Sequence, residues 1–329
     1  MAALSVLRPL RPRSTADTLH VTLSSLGIAA LTIGFVPLSL YIIRKKVKSR
    51  RRRLAAFLAV ALVFYVGRPR RKRKDIMSWS LWEHYLHYHQ VTVIDDSDGT
   101  FSPIVGKQKI LAIAPHGIIP WGIALPAVSS RLQSVFGNMR AIIATATSYI
   151  PIVGHVAKSV RTVDATKSNV DLAMSTGDSL SVNPGGITEM FSAPSTKDSE
   201  FALLSDRKGY ARMAVRWGVP VTPVYVFGSS RLFRRYDVPA LERFSRYFKI
   251  AILFFYGRLG LPVPFPIKLL YVIGKTIRPK PVMNGGGEGE LERVVEGFHE
   301  EVKKEIVDVF ERNKTRYDKT WGGKRLTLI

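Results

Sequence analysis

The 329-residue chain contains no cysteine. That excludes disulfides, thiolate metal sites and a cysteine nucleophile together, and gives no support to a cross-linked secreted scaffold. Acids are scarce, 25 against 49 Lys and Arg, for a formal charge of +24. Internal repeats are absent, and no Gly-x-Ser-x-Gly elbow occurs, which disfavours a serine hydrolase of the usual α/β type. Gly-Lys-Thr at 274–276 lacks the glycine that a phosphate-binding loop needs five residues earlier, where Leu269 stands. "GGGEGE" (285–290) completes no dinucleotide fingerprint and reads as a linker. "WEHYLHYHQ" offers His84, His87 and His89, but no carboxylate or second histidine cluster completes a ligand set. The expectation there is an aromatic surface helix and no metal.

The basic excess is concentrated. Residues 1–74 hold 17 of the 49 Lys and Arg and one acid, Asp17, beside apolar segments. Cations flanking apolar runs suit anionic lipid headgroups at least as well as phosphodiesters, so a nucleic-acid partner is not expected. Val21–Ile43 is 23 residues without a charge, long enough to cross a bilayer core. "RKKVKSRRRR" (44–53) follows, then the shorter apolar run Leu54–Val66, read as re-entrant or interfacial, then "RPRRKRK" (68–74). The positive-inside rule puts both basic clusters on the cytoplasmic side. The opening twenty residues, with three arginines and one acid, also faintly resemble an organelle transit peptide. Residues 1–75 are thus expected to be a membrane anchor, and 76–329 the functional domain.

Beyond residue 75, short apolar runs end in Gly, Pro or Asn: "KILAIAPHG", "MRAIIATATS", "SLSVNPGG", "VPVTPVYVFG", "KLLYVIG". Stretches with helical spacing lie between several of them. Strands buried on both faces and alternating with helices indicate an α/β fold with a mostly parallel central sheet flanked by helices. Ligands in such folds bind at the carboxyl ends of the strands, where His116 and the Asn183–Gly186 turn fall. Glu290–Lys314 reads as an amphipathic helix, with acids at its start, bases at its end, and His299 as a structural residue.

The chemistry on offer is a histidine without a nucleophile, a diglycine turn and scattered arginines. Acyl transfer from a thioester to an alcohol fits that set. The thioester is already activated, an imidazole takes the hydroxyl proton, and backbone N–H groups of a Gly-Gly turn stabilise the oxyanion. Cations would hold the phosphates of an ionised carrier, and an apolar pocket would exclude water. A satisfied core histidine is an equally open reading of Pro-His-Gly taken alone.

From Trp79 to the C-terminus the chain resembles the type 2 diacylglycerol acyltransferase family, which includes monoacylglycerol and wax-ester acyltransferases. "APHGIIPWG" resembles that family's His-Pro-His-Gly block and "NPGGITEMF" its Pro-Gly-Gly-x-x-Glu block. "RKGYARMAVRWGVPVTPVYVFG" (207–228), "FYGRLGLPVPFPIKLLYVIGKTI" and "HEEVKKEIVDVFERNKTRYD" resemble three further blocks in order. The resemblance implies a glycerolipid acyltransferase-like fold behind an N-terminal transmembrane or re-entrant helical anchor. It implies His116 as the general base and Glu189 as a residue orienting the acceptor or the imidazole. A first-turn glutamate serving its own helix stays open for Glu189. Pro115, Gly117, Asn183, Gly185 and Gly186 would surround the substrates, with Arg161, Lys208 and Arg258 candidates for the carrier phosphates.

The implied reaction moves an acyl group from acyl-CoA, a co-substrate, to diacylglycerol, with no cofactor and no metal. Monoacylglycerol, a long-chain alcohol or a lysophospholipid are alternative acceptors, and an inactive membrane or lipid-droplet protein is the non-enzymatic alternative. The expected setting is the endoplasmic-reticulum membrane with a cytoplasmic catalytic domain, a lipid droplet or an organelle envelope being further options. Homo-oligomer formation is open. Two departures from the family pattern stand out: its first histidine is Ala114 here, and a His-x-x-x-x-Asp pattern would need an acid at Trp121.

Overall fold

A computed structural model describes residues 4–66, 74–102, 108–150, 153–191, 195–236, 254–282 and 287–329. The "RPRRKRK" cluster apart from Lys74, and Gly285 and Gly286 of the expected linker, lie outside the described residues. The strands are β1 (Leu4–Leu7), β2 (Thr92–Asp95), β3 (Ile110–Ala114), β4 (Met139–Ile143), β5 (Thr162–Asp164), β6 (Ser179–Val182), β7 (Ser199–Ala202), β8 (Val221–Phe227), β9 (Arg234–Arg235), β10 (Phe255–Tyr256), β11 (Leu270–Ile273) and β12 (Arg325–Leu328). Eight of them form one sheet in the order β1-β2-β11-β8-β3-β6-β4-β5. Its pairings are parallel except β1 with β2 and β11 with β8, so the expected mostly parallel α/β sheet is present. β7 with β12, and β9 with β10, make two small ribbons.

The apolar runs are continuous because both faces of the sheet are covered. Along β3, Leu111 and Ile113 join a core with Tyr85, Leu125, Leu132 and Tyr271. Ile110, Ala112 and Ala114 face the opposite core, with Tyr225, Ile306 and Phe310. That second layer is supplied by the helix Glu288–Tyr317, slightly longer than its periodic pattern, which buries Val295, Phe298, Val302, Ile306, Val309 and Phe310 at helical spacing. His299 is structural as expected, with Nδ1 3.0 Å from the Tyr210 hydroxyl. Pro223 sits inside central β8 without an N–H to give. It falls where the ladder to β11 breaks, between the Val224–Phe227 pairs and the isolated bridge at Val221.

The N-terminal segment departs from expectation. Val21–Ile43 is not one straight helix: Thr15–Ala29 is α-helical, Ala30–Gly34 is a π turn, and Phe35–Lys46 continues as a second helix. The break precedes Pro37, whose missing N–H cannot continue the ladder. Arg50–Val66 is a further helix. Among the described residues no helix is long and apolar enough to cross a membrane.

Contacts also cross the expected 75/76 boundary, since β1 pairs with β2 and the helix Thr15–Ala29 packs on Ser80–Tyr88. Buried Asp17 is bonded by Arg11 at 2.6 Å and His84 at 2.8 Å, and by the Ser14 cap. Burial resists its charge, but those partners prevail and hold its carboxyl well below the usual range. His20 stacks on His84 with centroids 3.9 Å apart, and Ser24 and Ser25 meet the Tyr85 hydroxyl. The helix Ser80–Tyr88 is therefore not the aromatic surface helix expected. Trp82, Tyr85, Leu86, His87 and Tyr88 are buried because the N-terminal helix lies over it. His89 is buried as well, with Nδ1 3.0 Å from the Ile267 carbonyl, and burial lowers its pKa to about 4. No group of three metal-ligating side chains occurs among the described residues.

Candidate active site

Three adjacent parallel strands, β8, β3 and β6, end on the same edge of the sheet, and the turns after them meet there. β3 runs into Pro115, His116 and Gly117. β6 runs into Asn183, Pro184, Gly185 and Gly186, then a short 3₁₀ turn, Gly186–Phe191, that carries Glu189. β8 ends at Gly228 and Ser229. The turns are close-packed. Gly117 has φ +67°, and a Cβ there would come within 2.7 Å of the Ser229 carbonyl, so only glycine suits it.

His116 is buried, 8% exposed. Its Nδ1 lies 2.7 Å from the Gly117 carbonyl oxygen, which can only accept; Nδ1 therefore carries the proton and donates, and Nε2 keeps its lone pair. Burial moves the imidazole pKa below its ordinary value, partly opposed by that carbonyl. The neutral, base-competent ring is thus the resting form near neutrality.

Glu189 meets His116 through the backbone. Its Oε1 accepts the His116 N–H at 2.8 Å, so the ring is oriented by Gly117 and not by Glu189, a correction to the expected carboxylate–imidazole pairing. Burial raises the Glu189 pKa to about 7, opposed by backbone N–H groups of His116, Leu203 and Gly117.

The diglycine is also used differently from expectation. A Cβ at Gly185 would overlap Glu189 Oε2, so this glycine exists to admit the carboxylate. The Gly186 N–H is directed at the Asn183 carbonyl and at Asn183 Oδ1, each at 3.2 Å, and is not the free oxyanion donor anticipated. Asn183 in turn donates through Nδ2 to the Ile113 carbonyl at 2.8 Å, tying the end of β6 to the end of β3.

A cavity of about 490 Å³ opens beside this constellation. Gly117 and Glu189 line it, and His116, adjacent to Gly117 in the chain, is not itself a lining residue. Met190, Phe201, Phe233, Tyr256, Phe265 and Ile267 give it apolar walls, and Arg231, Arg234 and Arg235 give it a cationic one. Ser195 and Ser230, also lining, bond to buried Glu200 at 2.5 and 2.7 Å, and Glu200 pairs with buried Lys324 at 3.0 Å.

The three cations suggested by sequence are elsewhere. Arg161 sits just before β5, donating to the carbonyls of Asn138 and Met139 where β4 begins, at the opposite end of the strands from His116. Lys208 pairs with Glu296 on the C-terminal helix. Arg258 lies in the 3₁₀ turn after β10, against the Tyr88 hydroxyl. Sequence reasoning missed Arg231, Arg234, Arg235 and the Glu200–Lys324 pair. "RLFRR" (231–235), separated by three residues from the apolar run of β8, was the available signal for the arginines. Ala114 is fully buried opposite Tyr225 in the strand pairing, and Trp121 packs on Tyr85 with centroids 4.9 Å apart.

An α/β sheet with a base-competent histidine at its carboxyl edge, beside an amphiphilic cavity, is an architecture suited to group transfer onto lipids. Residues 48–324 match the family Diacylglycerol acyltransferase, and the chain belongs to that family. It is an O-acyltransferase. Relatives include acyl-CoA wax alcohol acyltransferase 1 of Mus musculus, 25% identical over 75% of this chain and 77% of that protein. Acyl-CoA wax alcohol acyltransferase 2 of Homo sapiens is 25% identical over 74% of this chain and 75% of its own length. Diacylglycerol O-acyltransferase 2 of Homo sapiens is 21% identical over 78% and 69%. Among solved structures, the 1-acyl-sn-glycerophosphate acyltransferase PlsC of Thermotoga maritima superposes with a TM-score of 0.42 at 17% identity, over 89% of this chain and 95% of that one.

Proposed function

We propose that the protein transfers an acyl group from acyl-CoA to the free hydroxyl of diacylglycerol, forming triacylglycerol, with His116 as general base. The observation that carries this reading is the His116 tautomer. With Nδ1–H spent on the Gly117 carbonyl, Nε2 is the nitrogen left to take a proton, in a turn whose neighbours line the cavity. In the proposed step Nε2 removes the hydroxyl proton as the alkoxide oxygen bonds to the thioester carbonyl carbon. The tetrahedral adduct then collapses, the carbon–sulfur bond breaks, and the imidazolium returns its proton to the departing thiolate. Burial disfavours the imidazolium and so promotes that return. The apolar walls would exclude water, which otherwise hydrolyses the thioester.

A long-chain alcohol is the second reading for the acceptor, favoured by the 25% identity to wax alcohol acyltransferases against 21% to the diacylglycerol enzyme. The protein is proposed to work at the endoplasmic-reticulum membrane with its catalytic domain on the cytoplasmic side. Exposed Leu19, Leu23, Leu31, Leu38, Leu40 and Ile42 on the first two helices and the π turn between them, followed by the cluster at 44–53, support contact with apolar lipid and anionic headgroups. The deciding experiment expresses the chain in a host lacking neutral-lipid synthesis and supplies labelled acyl-CoA with a panel of acceptors. Labelled triacylglycerol in wild type and its loss in His116→Ala support the first reading. Labelled wax ester alone selects the second. Normal product from a normally expressed His116→Ala rejects both.

A further inference from the structure

The cavity beside Glu189 has a charge that the transfer step itself does not use. Glu189 is the one carboxylate among its described lining residues, and with a pKa near 7 it is only partly ionised at neutrality. Arg231, Arg234 and Arg235 face it from the turn and short strand after β8, so the space is strongly cationic. This placement follows from topology: β8 is the parallel neighbour of β3, and its outgoing turn packs on Gly117.

Two of the arginines are held by aromatic faces. The guanidinium of Arg231 lies 5.8 Å from the centre of the Trp321 ring, and that of Arg234 lies 5.6 Å from Phe265. The ring attracts the cation, and Arg231 also meets the Tyr317 hydroxyl, while a guanidinium with five N–H donors keeps others to offer a phosphate. Trp321 is itself fixed, since Lys324 lies 4.1 Å from its ring centre and is anchored to Glu200. A cavity lined both by the three arginines and by Met190, Phe201 and Phe233 suits a ligand that combines several phosphate charges with an apolar chain.

We propose that Arg231, Arg234 and Arg235 bind the phosphate groups of the thioester donor's carrier, with the acyl chain along the apolar walls. This rests on the acyl-transfer reading above. A phosphomonoester on the acceptor would offer the same chemistry, and the test separates the two sources.

The protein and an R231Q/R234Q/R235Q variant are compared on two donors and two acceptors. These are an acyl-CoA, the matching acyl-pantetheine that carries no phosphate, and a lysophosphatidate acceptor beside a neutral one. The expected result is a rise of about tenfold or more in KM for acyl-CoA, the scale of losing a charge-assisted hydrogen bond. Variant and wild type should converge on acyl-pantetheine, and added salt should raise KM for acyl-CoA in wild type more than in the variant. A parallel change on both donors, no change on either, or a change confined to the phosphorylated acceptor overturns the assignment. Binding of adenosine 3′,5′-bisphosphate, followed by calorimetry, tests it without turnover. Binding by wild type that the variant loses supports the arginine site even if no acceptor is turned over. Absence of binding by wild type, or equal binding by both proteins, overturns it and leaves the acyl-transfer reading to be judged on His116.

Discussion

The backbone N–H of His116 donates to Oε1 of Glu189 at 2.8 Å, a bond that spans 73 positions of sequence and clamps the turn after β3 to the turn after β6. Both residues are buried at that junction, so each depends on the other's place. The imidazole is left to the Gly117 carbonyl, and the division of labour is clear: Glu189 fixes where His116 is, and Gly117 fixes which nitrogen is basic.

His116→Ala should lower kcat by roughly 10²–10⁴-fold, the usual contribution of a general base, without loss of expression. Because burial lowers the imidazole pKa, the wild-type acid limb belonging to this group should lie below the ordinary value of 6.5, with activity lost as the ring gains a proton. A kcat/KM profile from pH 4.5 to 8 in wild type and His116→Gln checks both points.

Gly185→Ala should behave as a Glu189 variant. The added Cβ overlaps Oε2 and must expel the carboxylate, which releases the His116 amide. A loss of about tenfold or more is expected, comparable to the loss from misplacing a catalytic group. The G185A/E189A double variant should be little worse than E189A alone, since both changes break the same contact. Additive losses in a kinetic double-mutant cycle would contradict this.

Glu189 also makes a signed prediction about stability. Its folded pKa of about 7 exceeds the 4.5 of an exposed glutamate, so between these values the folded state holds more protons than the unfolded one. The group therefore costs nothing in ionisation below about pH 4.5, and stability falls as pH rises through the window to about 7. Melting temperatures of wild type and Glu189→Gln at pH 5, 6, 7 and 8 should show a difference that moves in favour of the variant with rising pH.

The buried Glu200–Lys324 pair, 3.0 Å apart and under 5% exposed on both sides, predicts an asymmetric cost. Lys324→Met leaves a buried carboxylate unpaired and should destabilise by about 3–5 kcal/mol, whereas replacing both partners with apolar residues should cost much less. Denaturant titration of the single and double variants reads the difference.

Asn183→Ala removes the donor to the buried Ile113 carbonyl and the acceptor for Gly186. The unsatisfied carbonyl should cost about 1–3 kcal/mol. Activity should fall further than this global loss explains, because the turn that carries Glu189 loosens; parallel denaturation and rate measurements separate the two.

The sheet was legible in the sequence because burial on both faces leaves a one-dimensional trace, runs such as Ile110–Ala114 and Val221–Phe227 closed by Pro or Gly. The C-terminal helix was legible for the same kind of reason, its apolar residues recurring every three or four positions. His116 stands out because it closes an apolar strand run in a Pro-His-Gly turn, whereas Glu189 is pointed to only by the family resemblance. The roles of Gly185 and Gly186 are not legible, because the φ angles and the approach of Glu189 Oε2 depend on how the 183–189 backbone folds back on itself, which residue types alone do not reveal. The burial of the helix Ser80–Tyr88 is not legible because its cover comes from Thr15–Ala29, most of which falls in the Val21–Ile43 run that hydropathy alone assigns to the bilayer.

Local pattern thus determined the elements, the parallel sheet and the histidine at its edge, since periodicity and turn chemistry act over a few neighbouring positions. Only the tertiary structure decided which cations share the cavity, which nitrogen of His116 is free and what holds the N-terminal helix. The cavity and the helix cover join groups tens to hundreds of residues apart. The His116 tautomer, though set by neighbouring Gly117, needs a backbone geometry that composition does not reveal. The energy that holds all three, burial and buried hydrogen bonding, exists only once the chain has closed around them.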